Sequence, residues 1–144
     1  MAVRTLPMYD LHKPVGPNKP NLPDDVRLIQ SLFGVLRGAN DYLVEGIAPI
    51  PLTGFFSPEL GAAILHFQKK AKQNRGKNVV DGFIDPLPSR SGLPGDWDRD
   101  FRNGVSSTLT MMCYRVFRFN REAYLKLGDT LNLKWAPDPF VPNT

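Results

Sequence analysis

The chain has 144 residues, 42% hydrophobic and 22% charged, which suits one globular domain and is too short for an enzyme with separate cofactor and substrate domains. Eighteen basic and 14 acidic residues leave a net charge of +4, and the absence of any apolar run of about 18 residues excludes a transmembrane helix. Fourteen Pro and 12 Gly imply irregular segments around a compact core, because Pro is costly inside helices and central strands.

Residues 1–20 contain Pro7, Pro14, Gly16, Pro17 and Pro20 without sustained periodicity and read as an extended N-terminal arm. The opening residues lack an apolar stretch followed by a small-residue cleavage site. The expectation is therefore a cytoplasmic protein, or one exported to the periplasm or cell wall by a signal-independent route. Val26, Ile29, Phe33 and Leu36 then recur at helical intervals. With Asp24 and Asp25 in the first turn and Gly38 as a stop, they predict a helix over 23–37.

Residues 38–56 form a long connection, in which Tyr42-Leu43-Val44 and Gly54-Phe55-Phe56 are candidates for two very short paired strands. A second helix starts where Ser57 can cap, Pro58 suits the first helical position and Glu59 lies in the first turn. Leu60, Ala63, Ile64, Phe67 and Ala71 carry its apolar face to about Asn74, before Gly76. Residues 79–86 read as a short extended segment turning at Asp81-Gly82, and 87–104 as a surface insertion. A third helix, capped near Ser106 or Ser107, follows Leu109, Met112, Val116, Phe119, Ala123 and Leu127 to Gly128, with Asn120 a potential break.

Residues 129–144 are expected as an irregular Pro-rich tail over the bundle, with Trp97, Phe101, Trp135 and Phe140 enlarging the core. The fold class is thus all-α, a small three-helix bundle spanning 21–128 with long loops. No internal repeat is evident in the sequence.

The order of three segments resembles a known family. Asp25-Val26-Arg27-Leu28-Ile29-Gln30-Ser31-Leu32-Phe33 looks like its Asp-Val opening before a Val/Ile-Gln-x-Leu-Leu helix. The run from Gly54 to Gln68, ending Ala63-Ile64-Leu65-His66-Phe67-Gln68, resembles its Asp-Gly-x-Phe-Gly-Pro-x-Thr-x-x-Ala-Val-x-x-Phe-Gln core. Val80-Asp81-Gly82-Phe83-Ile84-Asp85-Pro86 is similar to its Asp-Gly-x-Ile/Val-x-Pro segment. Over about residues 15–127 the chain therefore resembles the peptidoglycan-binding-domain-like three-helix family.

That resemblance implies non-catalytic attachment to bacterial cell-wall peptidoglycan, with a separately encoded cell-wall hydrolase as partner. Three positions depart from the family pattern around the start of the second helix, where the family commonly receives its ligand. Thr53 stands for Asp, Ser57 for Gly and Leu60 for Thr. Helix N-termini suit the carboxylates of a muropeptide, and aromatic rings suit its sugar faces. The candidate ligand-binding residues are Tyr42, Gly54, Phe55, Phe56, Ser57, Glu59, Gln68, Asp81 and Gly82. Phe55 and Phe56, adjacent on an extended segment, point to opposite faces, so one of them is expected in the core. Phe67 is expected in the core, and Gln68 is expected to tie down a loop by hydrogen bonds.

Catalytic signatures are lacking. His12 and His66 lie on different elements with no metal-ligand spacing. Asp96-Trp97-Asp98-Arg99-Asp100 fails the calcium-loop pattern, having Phe101 for its Gly and Ser107 for its Glu. Cys113 is the single cysteine and reads as a buried structural thiol. Phosphate-loop and nucleophile-elbow motifs are absent, and no carboxylate pair for glycoside hydrolysis suggests itself. The expectation is no enzyme, no metal and no cofactor. Two basic clusters remain, Lys69-Lys70-Lys72-Arg75-Lys77 and Arg115-Arg118-Arg121. The first is explained by its place at a helix C-terminus, and without a reading motif nucleic acid is disfavoured as a partner. The competing reading is a protein-interaction adaptor, or a structural component of a phage or secretion apparatus, built on the same bundle.

Overall fold

The computed structural model describes residues 9–75, 80–86, 107–131 and 134–135. Among them the chain is mostly helical, with α1 (Pro23–Gly38), α2 (Pro58–Arg75), α3 (Thr108–Phe119) and α4 (Arg121–Thr130), and one pair of two-residue strands. The insertion 87–104, with Trp97, Phe101 and the candidate calcium loop, lies outside the described residues, as do Phe140 and most of the tail. Among the described residues no helix is long and apolar enough to cross a membrane.

Pro at the first helical position and two acids in the first turn start α1, and Asn40 turns the chain beyond it with a left-handed φ of 56°. The Ser57 hydroxyl accepts from Leu60 N at 3.1 Å and caps α2, as expected. Ser107 caps α3 in the same way, accepting from Thr110 N at 3.1 Å. Asn120 leaves helical geometry at φ −152°, and its side-chain oxygen accepts from Ala123 N. The expected third helix is therefore two helices, divided at the residue best suited to cap the second.

The paired strands expected in the 38–56 connection do not form. Tyr42–Val44 is a single turn of 3-10 helix, because the Asp41 carboxylate accepts from Leu43 N at 2.9 Å and winds the chain. Gly54 takes a left-handed φ of 79°, which breaks any strand through Gly54-Phe55-Phe56.

The core runs through all these elements. Val26, Ile29, Leu32, Phe33 and Leu36 of α1 meet Leu60, Ile64 and Phe67 of α2 and Leu109, Met112 and Val116 of α3. The rings of Phe33 and Phe67 join α1 to α2 edge to face, with centroids 6.1 Å apart. Residues 9–15 are irregular apart from a short strand and 16–21 turn, with left-handed φ at Asn18 and Asn21, yet Tyr9, Leu11 and Val15 are fully buried. Tyr9–Asp10 (β1) pairs antiparallel with Lys134–Trp135 (β2), and Val15 bridges to Ile84. The buried Asp25 carboxylate accepts from the backbone N–H groups of His12 and Lys13 and fastens the same segment to α1.

Candidate functional site

Two glutamines organise the loops that carry the motif residues. Gln68, on α2 and almost fully buried, accepts through Oε1 from Asp81 N (3.2 Å) and Gly82 N (2.8 Å). Its Nε2 donates to Asp81 Oδ1, Phe83 O and Thr108 Oγ1, at 3.0, 2.9 and 3.0 Å. Gln30 on α1 repeats the arrangement one loop earlier. Its Oε1 accepts from Thr53 N and Gly54 N at 3.0 and 2.9 Å, and its Nε2 donates to Thr53 Oγ1 and Phe55 O at 3.0 and 3.3 Å. Gly54 and Gly82 share nearly the same left-handed φ, 79° and 83°. The sequence hides this internal repeat because 22 residues separate Gln30 from Thr53 but only 12 separate Gln68 from Asp81. The visible signal is a helical Ile29-Gln30 or Phe67-Gln68 pair followed by an x-Gly-Phe turn.

Thr53 closes the first of these turns with its hydroxyl. Its Oγ1 accepts from Phe55 N at 3.1 Å, as Asp81 Oδ1 accepts from Phe83 N at 3.2 Å. A hydroxyl thus closes one turn and a carboxylate the other.

The remaining candidates separate into exposed and structural residues. Phe55 is 74% exposed, whereas Phe56 packs on the core against Gly61, so Phe56 is the core member of the pair. Gly54 is buried beneath the Arg27 guanidinium, and Glu59 is exposed in the first turn of α2. Gln68, Asp81 and Gly82 come together, but the Gln68 amide is already hydrogen-bonded to this loop and to Thr108.

Tyr42 stands apart, 43% exposed on the 3-10 turn. The Arg115 guanidinium lies over its ring at 4.9 Å and over that of Phe119 at 5.2 Å. Arg115 also forms a two-point ion pair with the buried Asp41 carboxylate, at 2.6 and 3.1 Å. It is therefore a structural cation rather than a free member of a basic surface. Beside Tyr42 opens a groove of about 440 Å³, lined by Arg37, Asn40, Asp41, Glu45 and the turn through Gly46 and Ile47. Of the nine candidate residues only Tyr42 lines it. Arg37, Asn40 and Glu45 were not marked by the sequence, since three polar residues on a connection carry no motif.

Other titratable groups belong to the interior. Burial pushes the Cys113 thiol and the Tyr9 hydroxyl each up to about 12, and raises Tyr124 well above its ordinary 10.0. Tyr9 donates to Tyr124 O at 2.6 Å and accepts from Gly128 N at 3.1 Å, knitting the N-terminal segment to α4. The thiol is held in its protonated, unreactive form. His66 Nε2 is enclosed without a hydrogen-bond partner among the described residues, and no three His, Cys, Asp or Glu residues among them gather as a metal site. No protein-family model matches the chain, and neither a curated protein nor a solved structure is significantly similar to it.

Proposed function

We propose that the protein is a non-catalytic peptidoglycan-binding module that acts with a separately encoded partner. The observation that carries this reading is the pair of glutamine-clamped x-Gly-Phe turns at the positions where the sequence resembles the peptidoglycan-binding family. Thr53 closes its turn as the family Asp would, so that departure leaves the loop before α2 intact. Exposed aromatic rings at Tyr42 and Phe55 supply flat apolar faces suited to sugars and lactyl groups.

Co-sedimentation with purified sacculi at physiological salt tests the reading, beside a variant with Lys69, Lys70 and Lys72 reversed in charge. Retention of both proteins is the expected result. Loss of retention on charge reversal alone would reduce the interaction to non-specific polyanion binding, and no retention of the wild type would refute the reading.

A second reading, the protein-interaction adaptor of a phage or secretion apparatus, is favoured by one observation. Leu52 and Phe55 are 57% and 74% exposed on the same connection, an apolar surface of the kind that protein partners cover. A stoichiometric protein complex lost in Phe55→Ala, without sacculus retention, is the outcome that would select it.

A further inference from the structure

The groove beside the 3-10 turn has features that the motif residues lack. Its volume of about 440 Å³ falls in the range of small-ligand sites, about 300–1,000 Å³. Its wall holds one half-exposed aromatic ring, one side-chain amide, one cation and two carboxylates, in Tyr42, Asn40, Arg37, Glu45 and Asp41. The ring is backed by Arg115, which is itself anchored on Asp41, so the platform is fixed before any ligand arrives. Arg37 donates through Nε to Ile47 O at 3.3 Å, which orients the guanidinium, while its terminal nitrogens have no partner among the described residues. Asn40, at a left-handed φ of 56°, likewise has an unpartnered side-chain amide among them. The ion pair with Arg115 neutralises Asp41, so the groove does not present two unopposed acids.

We propose that this groove binds an N-acetylated sugar whose attached short peptide carries a carboxylate. This rests on the peptidoglycan reading and moves its ligand site from the start of α2 to the end of α1. The pyranose face lies on Tyr42, the Asn40 amide pairs with the acetamido group and Glu45 accepts from sugar hydroxyls. The Arg37 guanidinium takes the peptide carboxylate by charge-assisted hydrogen bonds. The sequence motifs point to the glutamine-clamped turns, whereas recognition falls to the groove at 37–47.

The test is a titration of the full chain with N-acetylmuramoyl-L-alanyl-D-isoglutamine, which offers one pyranose, one acetamido group and one free carboxylate. N-acetylglucosamine serves as the comparison without a carboxylate, and backbone amide resonances are the readout. Saturable shifts are expected at residues 37–47. Tyr42→Ala should weaken both ligands by about tenfold or more, and Arg37→Gln should weaken only the muramoyl peptide, by about tenfold. Asn40→Gly retains the left-handed backbone while removing the amide, so its loss of affinity cannot be assigned to misfolding. Lys126→Ala, exposed on α4, should change neither affinity. Shifts centred on 53–60, or affinity lost in Phe55→Ala and kept in Tyr42→Ala, would overturn the proposal. So would the absence of saturable binding. If sacculi are nevertheless retained, the peptidoglycan reading stands with its site elsewhere; if they are not, both fall.

Discussion

Removing the Gln68 amide should be among the most damaging single changes outside the apolar core. The side chain makes five contacts, two through Oε1 and three through Nε2. Because Nε2 has only two hydrogens, these amount to about four full bonds, each worth about 1 kcal/mol net. Asp81 is exposed and Gly82 partly so, which lets water recover part of the loss, whereas the contact with Thr108 also ties α2 to the start of α3. The expected cost of Gln68→Ala is about 3 kcal/mol, a fall of about 10 °C in Tm. Urea unfolding followed by helical circular dichroism measures it, with the exposed Gln73→Ala on the same helix as reference.

A companion variant separates the accepting half of the amide from the donating half. Gln68→Glu can still accept from Asp81 N and Gly82 N, but it sets a carboxylate against Asp81 Oδ1, which Nε2 approaches at 3.0 Å. Burial and the neighbouring charge both favour the neutral form of the introduced carboxyl, so its folded pKa lies above the unfolded value of about 4.3. Stability is then lost as pH rises through the folded value, and the deficit relative to wild type should shrink as pH falls from about 7 toward 4. A Gln68→Ala cost no larger than that of Gln73→Ala, about 0.5 kcal/mol or less, would refute the clamp. A pH-independent Gln68→Glu deficit would refute the account of its donating half.

The same logic yields three further expectations. Thr53→Val deletes the hydroxyl that closes the turn and receives Gln30, costing about 1–2 kcal/mol in urea unfolding, while Thr53→Asp should stay within about 0.5 kcal/mol of wild type; equal losses would overturn the equivalence. Arg115→Met leaves the Asp41 carboxylate buried without its cation and should cost about 3 kcal/mol; adding Asp41→Asn should restore part of it, and an additive double-mutant cycle would show that the pair is not coupled. Cys113 and Tyr9 are both raised to about 12 from 9.0 and 10.0, so stability should be complete below pH 9 and decline from there toward 12. Cys113→Ala should flatten the start of that decline in pH-dependent unfolding, and an unchanged slope would exclude the thiol as its source.

Helix positions were legible because each depends on neighbours in sequence. The apolar spacing of α1 and α2, the caps at Ser57 and Ser107 and the break at Asn120 are local chemistry, and the structure follows them. The buried role of residues 9–21 was hidden, since Tyr9 is fixed by Tyr124 and Gly128, more than a hundred residues away. Asp41 was equally silent: its carboxylate winds the 3-10 turn and meets Arg115 on α3, and neither partner can be read from a Pro-rich connection. Gln68 was readable as a loop tie, whereas the role of its counterpart Gln30 emerges only in the fold. Its partners lie beyond a connection whose length differs from that of the second loop.

The three positions that differ from the pattern the sequence resembles, Thr53, Ser57 and Leu60, acquire different weights once their surroundings are known. Thr53 is exposed, but its hydroxyl is engaged by Gln30 Nε2 and Phe55 N within the turn. Ser57 spends its hydroxyl on the cap of α2, and Leu60 is fully buried. Thr53 and Ser57 keep some exposure, but both hydroxyls are already engaged in bonds of the fold. On the proposed reading, recognition falls to the exposed chemistry around that scaffold, Phe55 on one connection and the Tyr42 groove on another. A binding assay that varies those two aromatics separately is more informative than placing Asp, Gly and Thr at positions 53, 57 and 60, whose side chains the fold already engages in hydrogen bonds or core packing.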